Sequence, residues 1–364
     1  MMTADDVRKR VKSGEVLADL DLRAVAFSPG DYAGAMVVRC DLRGVAMNGL
    51  DWRDSRFSEC SLQGSHWDGA LLDDCAFHRC DATQASLRLP AARGMNWSHG
   101  SAAGADFSSA VLTECHFIRT DLTAARFVGT QLPASSFSEC NLTGVDLAET
   151  ILDRTLLYSG DLSRAVLAGT QWDGVVCVDI DLSGQNLHGH RLERCQFTDC
   201  RMDGCNLGAA LLGQSNFKGA SLRHAILAGA QAARTMFAHA DLTLSDCRAG
   251  RYPQSIWADA CLEKTDFEGA DLTQAILHRS RCEAATFAHA DLAYADFSYA
   301  DLRLADFRDS GFTRTQLHRA DTLDARWTSR AGVLENDALL YEAERWSACR
   351  PAALNAGPAA AERD

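Results

Sequence analysis

Apolar residues recur along this chain every five positions. From Ala290 to Phe307 the run reads Ala-Asp-Leu, Ala-Asp-Phe, Ala-Asp-Leu, Ala-Asp-Phe, so that Leu292, Phe297, Leu302 and Phe307 stand five apart. A helix repeats at about 3.6 residues and a strand at about 2, and neither accounts for this spacing. Counted from Leu17 to Trp327 the register never slips: 62 of 63 central positions are apolar, Thr322 being the exception. All 15 Phe fall on it. With the large central residue called c, position c−2 is equally selective, since 51 of 63 are Ala, Ser, Thr, Gly or Cys. Nearly all the charge sits at c−1, c+1 and c+2.

One large and one small residue of every five therefore point inward, and three point out. A short extended piece followed by a tight turn gives one side of a square coil, and four pentads close a turn of 20 residues. Stacked at the ordinary inter-strand spacing of ~4.8 Å, about 16 such coils make a rod ~75 Å long. No coil has a core of its own, and stacking supplies it. The Ala-Asp-Leu-x-x and Ala-Asp-Phe-x-x units resemble those of the pentapeptide-repeat family. The resemblance implies an all-β solenoid, a right-handed quadrilateral parallel β-helix of about 16 coils. Substitutions of the Asp, as at Arg201, Cys261 and Ile151, leave that expectation intact.

The ends depart from the period. Thr3 is placed to N-cap a helix over residues 3–13, with Asp5 and Asp6 in its first turn and Gly14 at its end. Such a helix would cover the open first coil. Beyond Trp327, Val333 to Cys349 reads as a second helix, with Asn336 as N-cap and Pro351 as its stop. Leu339, Leu340, Ala343 and Trp346 form its apolar stripe, which would either cap the last coil or contact a partner, including a second copy. The expected divisions are a cap helix at 1–14, the repeat at 15–328, a helix at 329–349 and a disordered tail at 350–364.

Three places weaken the repeat. Residues 82–104 carry Ala82, Ala92 and Ala102 at centres, with Pro90, Gly94 and Gly100 nearby, so a bulge or slight bend is expected, with Met95 and Trp97 filling the core. A second irregular zone is expected over 229–256, around Ala232, Cys247, Gly250 and Pro253. Gln185 and His190 occupy inward c−2 sites and need hydrogen-bond partners there.

The net charge of −13 disfavours nucleic acid as a partner and suits a basic partner or mimicry of DNA. The start has no apolar signal region, and no run is long enough to span a membrane, so a cytoplasmic protein is expected. Of 14 Cys, nine lie at c−2 and three at c, places suited to small buried thiols and not to a disulfide framework.

Sorting by 20 assigns residues to four sides. One side, nearly all Leu inside, carries at c−1 an acidic stripe of Asp21, Asp41, Asp81, Asp121, Asp161, Asp181, Asp241, Asp301 and Asp321. These either hydrogen-bond their own turns or draw in a cationic groove. Another side stacks aromatics inside and carries outward apolar residues: Leu156, Tyr158, Val176, Val178, Met236, Ile256 and Ile276. Stacked exposed apolar columns are a candidate partner face.

No phosphate loop, nucleophile elbow, HExxH or paired CxxC occurs, and the 11 His lack ligand spacing. No enzyme activity, metal or cofactor is expected. Within the resemblance three functions compete. One is an accessory or cargo adaptor of type VI secretion in a Gram-negative bacterium, holding a cargo or spike component. A second is a DNA-mimic rod binding DNA gyrase, of the quinolone-resistance kind. Against it, Arg39, Arg79, Arg119, Arg279 and Arg319 break the negative surface. The third is a secreted effector.

Overall fold

The computed structural model describes residues 2–348. Its body is a β-solenoid of about 16 turns in which successive coils pair in parallel at a register of 20 residues. Leu17 lies beside Val37, Phe57 beside Phe77, and Asp301 beside Asp321. A ten-stranded parallel ladder runs up the aromatic side from Leu17–Ala18 to Gln196–Thr198, and single-residue bridges carry the same register onward.

The five-residue side follows from its hydrogen bonds. Between coils, Trp52 N–H donates to the Leu71 carbonyl at 3.0 Å and Arg56 N–H to the Ala35 carbonyl at 2.8 Å. Within the tight corners the c−2 amide closes a turn onto the preceding centre, as Val45 N–H does onto the Leu42 carbonyl. The c+2 residue of that turn has positive φ, whether Gly44 at 67° or Leu244 at 63°.

Inside, the large residues form one continuous core. Phe57 and Phe77 are fully buried and stack at 5.0 Å, and Phe77 stacks on Trp97 at 4.2 Å. These spacings match the coil rise, so the aromatic ladder and the backbone ladder reinforce each other. At c−2, hydroxyls and thiols reach back to the coil below. Thr130 Oγ1 donates to the Phe107 carbonyl at 2.8 Å, and Cys75 Sγ to the Trp52 carbonyl at 2.9 Å. All thirteen described cysteines are buried and free. Cys40, Cys60 and Cys80, spaced 20 apart in one column, each donate to the carbonyl 23 residues earlier.

Helix α1, Ala4–Lys12, starts in a capping box made by Thr3 and Asp6 and buries Ala4, Val7 and Val11 against the first coil. The weak stretch at 82–104 keeps its register, and Met95 and Trp97 are buried in the core. Its one departure is that Leu89, formally outward, is buried while Pro90 is exposed. A bulky residue from the neighbouring position thus fills space that Ala92 leaves. The zone at 229–256 is regular, contrary to expectation. Gly250 leaves room for the fully buried Tyr252 ring, whose hydroxyl donates to the Leu227 carbonyl at 3.1 Å. Tyr252 stacks in the column directly after Ala232, so a large centre follows a small one.

The C-terminal end corrects the second helix. Val333–Leu334 is extended and pairs in parallel with Thr315–Gln316, and Gly332 adopts φ 92° just before it. Asn336 caps nothing: its Oδ1 accepts from Arg319 N–H at 2.7 Å. Helix α2 is Ala338–Ala348, begun by Asp337, whose Oδ1 accepts from Leu340 N–H at 2.8 Å. The expected end of the helix at Cys349 and Pro351, and the tail at 350–364, lie outside the described residues.

Candidate interaction faces

The predicted apolar side chains share one side of the rod. Leu156 lies beside Val176 and Tyr158 beside Val178 in adjacent strands, Leu156–Asp161 and Val176–Asp181. These two strands are six residues long where their neighbours are three, because the corner after them is drawn out straight. Gly160 and Ile180 occupy the matching position of the two strands, and the space beside Gly160 is taken by the Leu142 and Ile180 side chains of the coils on either side. Leu156 and Tyr158 are 37% and 45% exposed, while Val176 and Val178 are half-buried. Further along the same column Met236, Ile256 and Ile276 pair in succession, Ile276 being exposed. Gln196 and Asn216 separate the two groups. The face is therefore two apolar patches on one column with an amide strip between them.

The acidic stripe is built from turn aspartates. Each of the nine accepts a hydrogen bond from the backbone N–H two residues on. Arg23, Arg43 and Arg303 also fork onto Asp21, Asp41 and Asp301. The Arg23 guanidinium holds Asp21 down to about 2, and Arg43 and Arg303 lower Asp41 and Asp301. Much of the stripe's charge is thus spent within the rod.

Helix α2 does not cap the last coil with its apolar stripe. Leu339 is 82% exposed, and Leu340, Ala343 and Trp346 are exposed as well. The helix is held instead by polar groups. Glu344 accepts from Tyr299 Oη, pairs with Arg319, and faces His318 Nε2 at 3.4 Å. Asp337 N–H donates to His318 Nδ1 at 3.2 Å, and the Arg319 guanidinium lies 4.7 Å from the Tyr341 ring centre. Glu344, Tyr341 and His318 carried no signal in the repeat pattern, because this docking joins a non-repeating helix to the rod.

Of the two polar c−2 residues, Gln185 is satisfied: Nε2 donates to the carbonyls of Leu162 and Ala165 at 2.6 and 2.9 Å. His190 differs, since its Nδ1 is buried without a partner, and burial lowers its pKa. It opens onto a groove that periodicity did not single out. Two surface hollows of about 680 and 630 Å³ adjoin on the side centred on Trp172, Leu192 and Leu212. Arg191, Arg194 and Arg234 line them, over small floor residues Gly213 and Ala233. Among the described residues no group of three His, Cys, Asp or Glu could hold a metal ion. No helix among them is long and apolar enough to cross a membrane.

An unbroken coil and a continuous core define a repeat solenoid of the five-residue kind. Pentapeptide-repeat models match residues 50–127, 135–171, 176–214, 215–246 and 285–321, more than half of the chain. The chain belongs to the pentapeptide-repeat family. Among solved structures it is similar to HetL, a pentapeptide-repeat protein involved in heterocyst differentiation regulation from the cyanobacterium Nostoc. The identity is 20%, over 66% of this chain and 89% of that one, with a TM-score of 0.28. QnrB1, a plasmid-mediated fluoroquinolone resistance protein, is 17% identical over 65% of this chain and 98% of its own, with a TM-score of 0.32. Rfr23 from the cyanobacterium Cyanothece is 18% identical over 40% and 90%, with a TM-score of 0.17. No curated protein matches.

Proposed function

We propose that this protein is a non-catalytic, rigid binding scaffold that engages another protein through the outward apolar column of its aromatic side. One observation carries the reading: Leu156, Val176, Met236, Ile256 and Ile276 occupy a single outward column where a solvated rod would carry polar groups. Parallel coils hold such side chains at a fixed spacing, so the two patches would be presented without loss of loop entropy. The test is capture of partners by the wild-type chain and by Val176→Asp combined with Ile256→Asp, with thermal melts to establish that both are folded. Loss of the captured partner supports the face. Retention of every partner by a folded double variant rejects it.

The finer reading, an accessory or cargo adaptor of type VI secretion acting from the cytoplasm, rests on the resemblance of the repeat style alone. Co-capture of a secretion cargo or spike component tests it. The second reading, a DNA-mimic rod on gyrase, is motivated by the net charge of −13. Turn bonding and arginine pairing of the acidic stripe weaken it. A supercoiling assay decides, since a rod with neither inhibition nor protection of gyrase is not such a mimic.

A further inference from the structure

The half of the groove that runs from Arg191 to Gln254 is locally cationic on an acidic protein, whereas the adjoining half carries Asp153 and Asp173. Within the pentads 190–194, 210–214, 230–234 and 250–254, which stack on one side, there are four arginines and one carboxylate, Glu193. Of the pentads just before them, 185–189, 205–209 and 225–229 contain no charged residue, and 245–249 contains the paired Asp246 and Arg248. Two of the arginines are partly compensated: Arg191 pairs with Glu193 at 2.7 Å and Arg194 with Asp173 at 3.2 Å. Arg234 and Arg251 have no carboxylate partner among the described residues. The Arg234 guanidinium donates only to the Gln254 amide oxygen, at 2.8 Å. Two buried nitrogens bordering the same groove, Trp172 Nε1 and His190 Nδ1, have no hydrogen-bond partner.

We propose that this groove binds an extended acidic segment of a partner protein, its carboxylates seated on Arg194 and Arg234. The site lies on a different side from the apolar column, and neither depends on the other. From Arg191 to Gln254 this half of the groove crosses four coils, ~14 Å along the rod. It runs across the coils and not along a free sheet edge, so strand addition is unavailable and side chains must do the recognising. Arg194 and Arg234 stand two coils apart, ~9.6 Å. A segment in polyproline II conformation advances ~9.3 Å in three residues, so acidic residues at every third position would match that spacing. Guanidinium groups accept this pairing because their forked donors fit carboxylates. A nucleic acid fits less well. Its continuous phosphate charge would run on beyond the groove over the acidic remainder of the rod, whereas a short segment stays within about one Debye length of the arginines.

The experiment is fluorescence anisotropy of a labelled nonapeptide with Glu at every third position, titrated with the full chain at low and at physiological salt. Binding that weakens with salt and is lost when Gln replaces Glu is expected. Arg194→Glu combined with Arg234→Glu should weaken it by about tenfold or more, and Arg194→Gln with Arg234→Gln by less. Arg126→Glu, on another side, should leave it unchanged. Circular dichroism melts establish that each variant is folded; all three substituted positions are exposed. Absence of binding at low salt, or equal binding by the charge-reversed variant, overturns the proposal. So does displacement of the peptide by a single-stranded oligonucleotide that binds more tightly.

Discussion

At the scale of the residue, the c+2 position carries the strain of this fold. Positive φ is disfavoured by about 1–2 kcal/mol for a residue with a Cβ, yet Asp19, Arg39, Ala124 and many others adopt it. Such strain persists because every corner is held by bonds to coils on both sides. Ala124 is exposed at φ 53°, so Ala124→Gly should raise stability by about 0.5 kcal/mol once glycine's extra chain entropy is subtracted. Gly129→Ala, in open space at φ 65°, should lower it by about 1 kcal/mol. Gly100 is constrained differently: an added Cβ would meet the Cys80 carbonyl oxygen at 2.2 Å. Backbone cannot yield as a flexible side chain can, so Gly100→Ala should cost about 3 kcal/mol. Urea denaturation midpoints check all three, and an ordering other than Gly100→Ala worst and Ala124→Gly best contradicts this account.

At the scale of the element, the unit is the stacked coil and not the strand. Phe77 touches Phe57 on one side and Trp97 on the other, so Phe77→Ala removes two stacking contacts and opens a cavity. A loss of about 3–5 kcal/mol is expected. Because each coil contacts only its neighbours, hydrogen exchange should quicken in residues 57–97 and remain slow near Phe287 and Phe307. Uniform quickening along the rod would show a single cooperative unit instead. Helix α2 obeys another rule. It is fastened by Glu344 to Tyr299, His318 and Arg319, with its apolar residues outward. Glu344→Gln should detach it and increase exchange and proteolysis after Asp337 while the melting of the solenoid is unchanged.

At the scale of the whole molecule, stability is coupled to the protonation of the buried thiols. Burial pushes Cys75, Cys115, Cys200 and Cys205 up to about 12, against 9.0 for the unperturbed group. A pKa raised in the folded state contributes stability that is whole below the unfolded value and lost as pH climbs toward the folded one. Denaturation at increasing pH should therefore show a decline beginning near 9 and continuing to about 12. At one unit above the unfolded value, each such thiol contributes a loss of about 1.4 kcal/mol. The same burial predicts that the thirteen described cysteines resist alkylation at neutral pH until the protein unfolds. Rapid modification of several in the folded state would contradict the core described here.

The period of five determined the fold by itself, because each pentad repeats one decision: a large residue in, a small residue in, three out. Phe57 over Phe77 and the column of Leu156 and Val176 follow from counting along the chain, since local geometry and the 20-residue turn convert sequence distance directly into spatial position. Where neighbouring coils or non-repeating segments meet, counting fails. Whether Leu89 or Pro90 faces inward depends on the volume left by Ala92, and Gly250 makes room for the Tyr252 ring. Asn336 serves Arg319 instead of a helix because Val333 and Leu334 first pair with the coil below. The Arg234 groove exists because small residues, Gly213 and Ala233, fall between arginines two coils apart, Arg194 and Arg234. These outcomes depend on packing volume and on side chains brought together from distant coils, which only the tertiary structure decides.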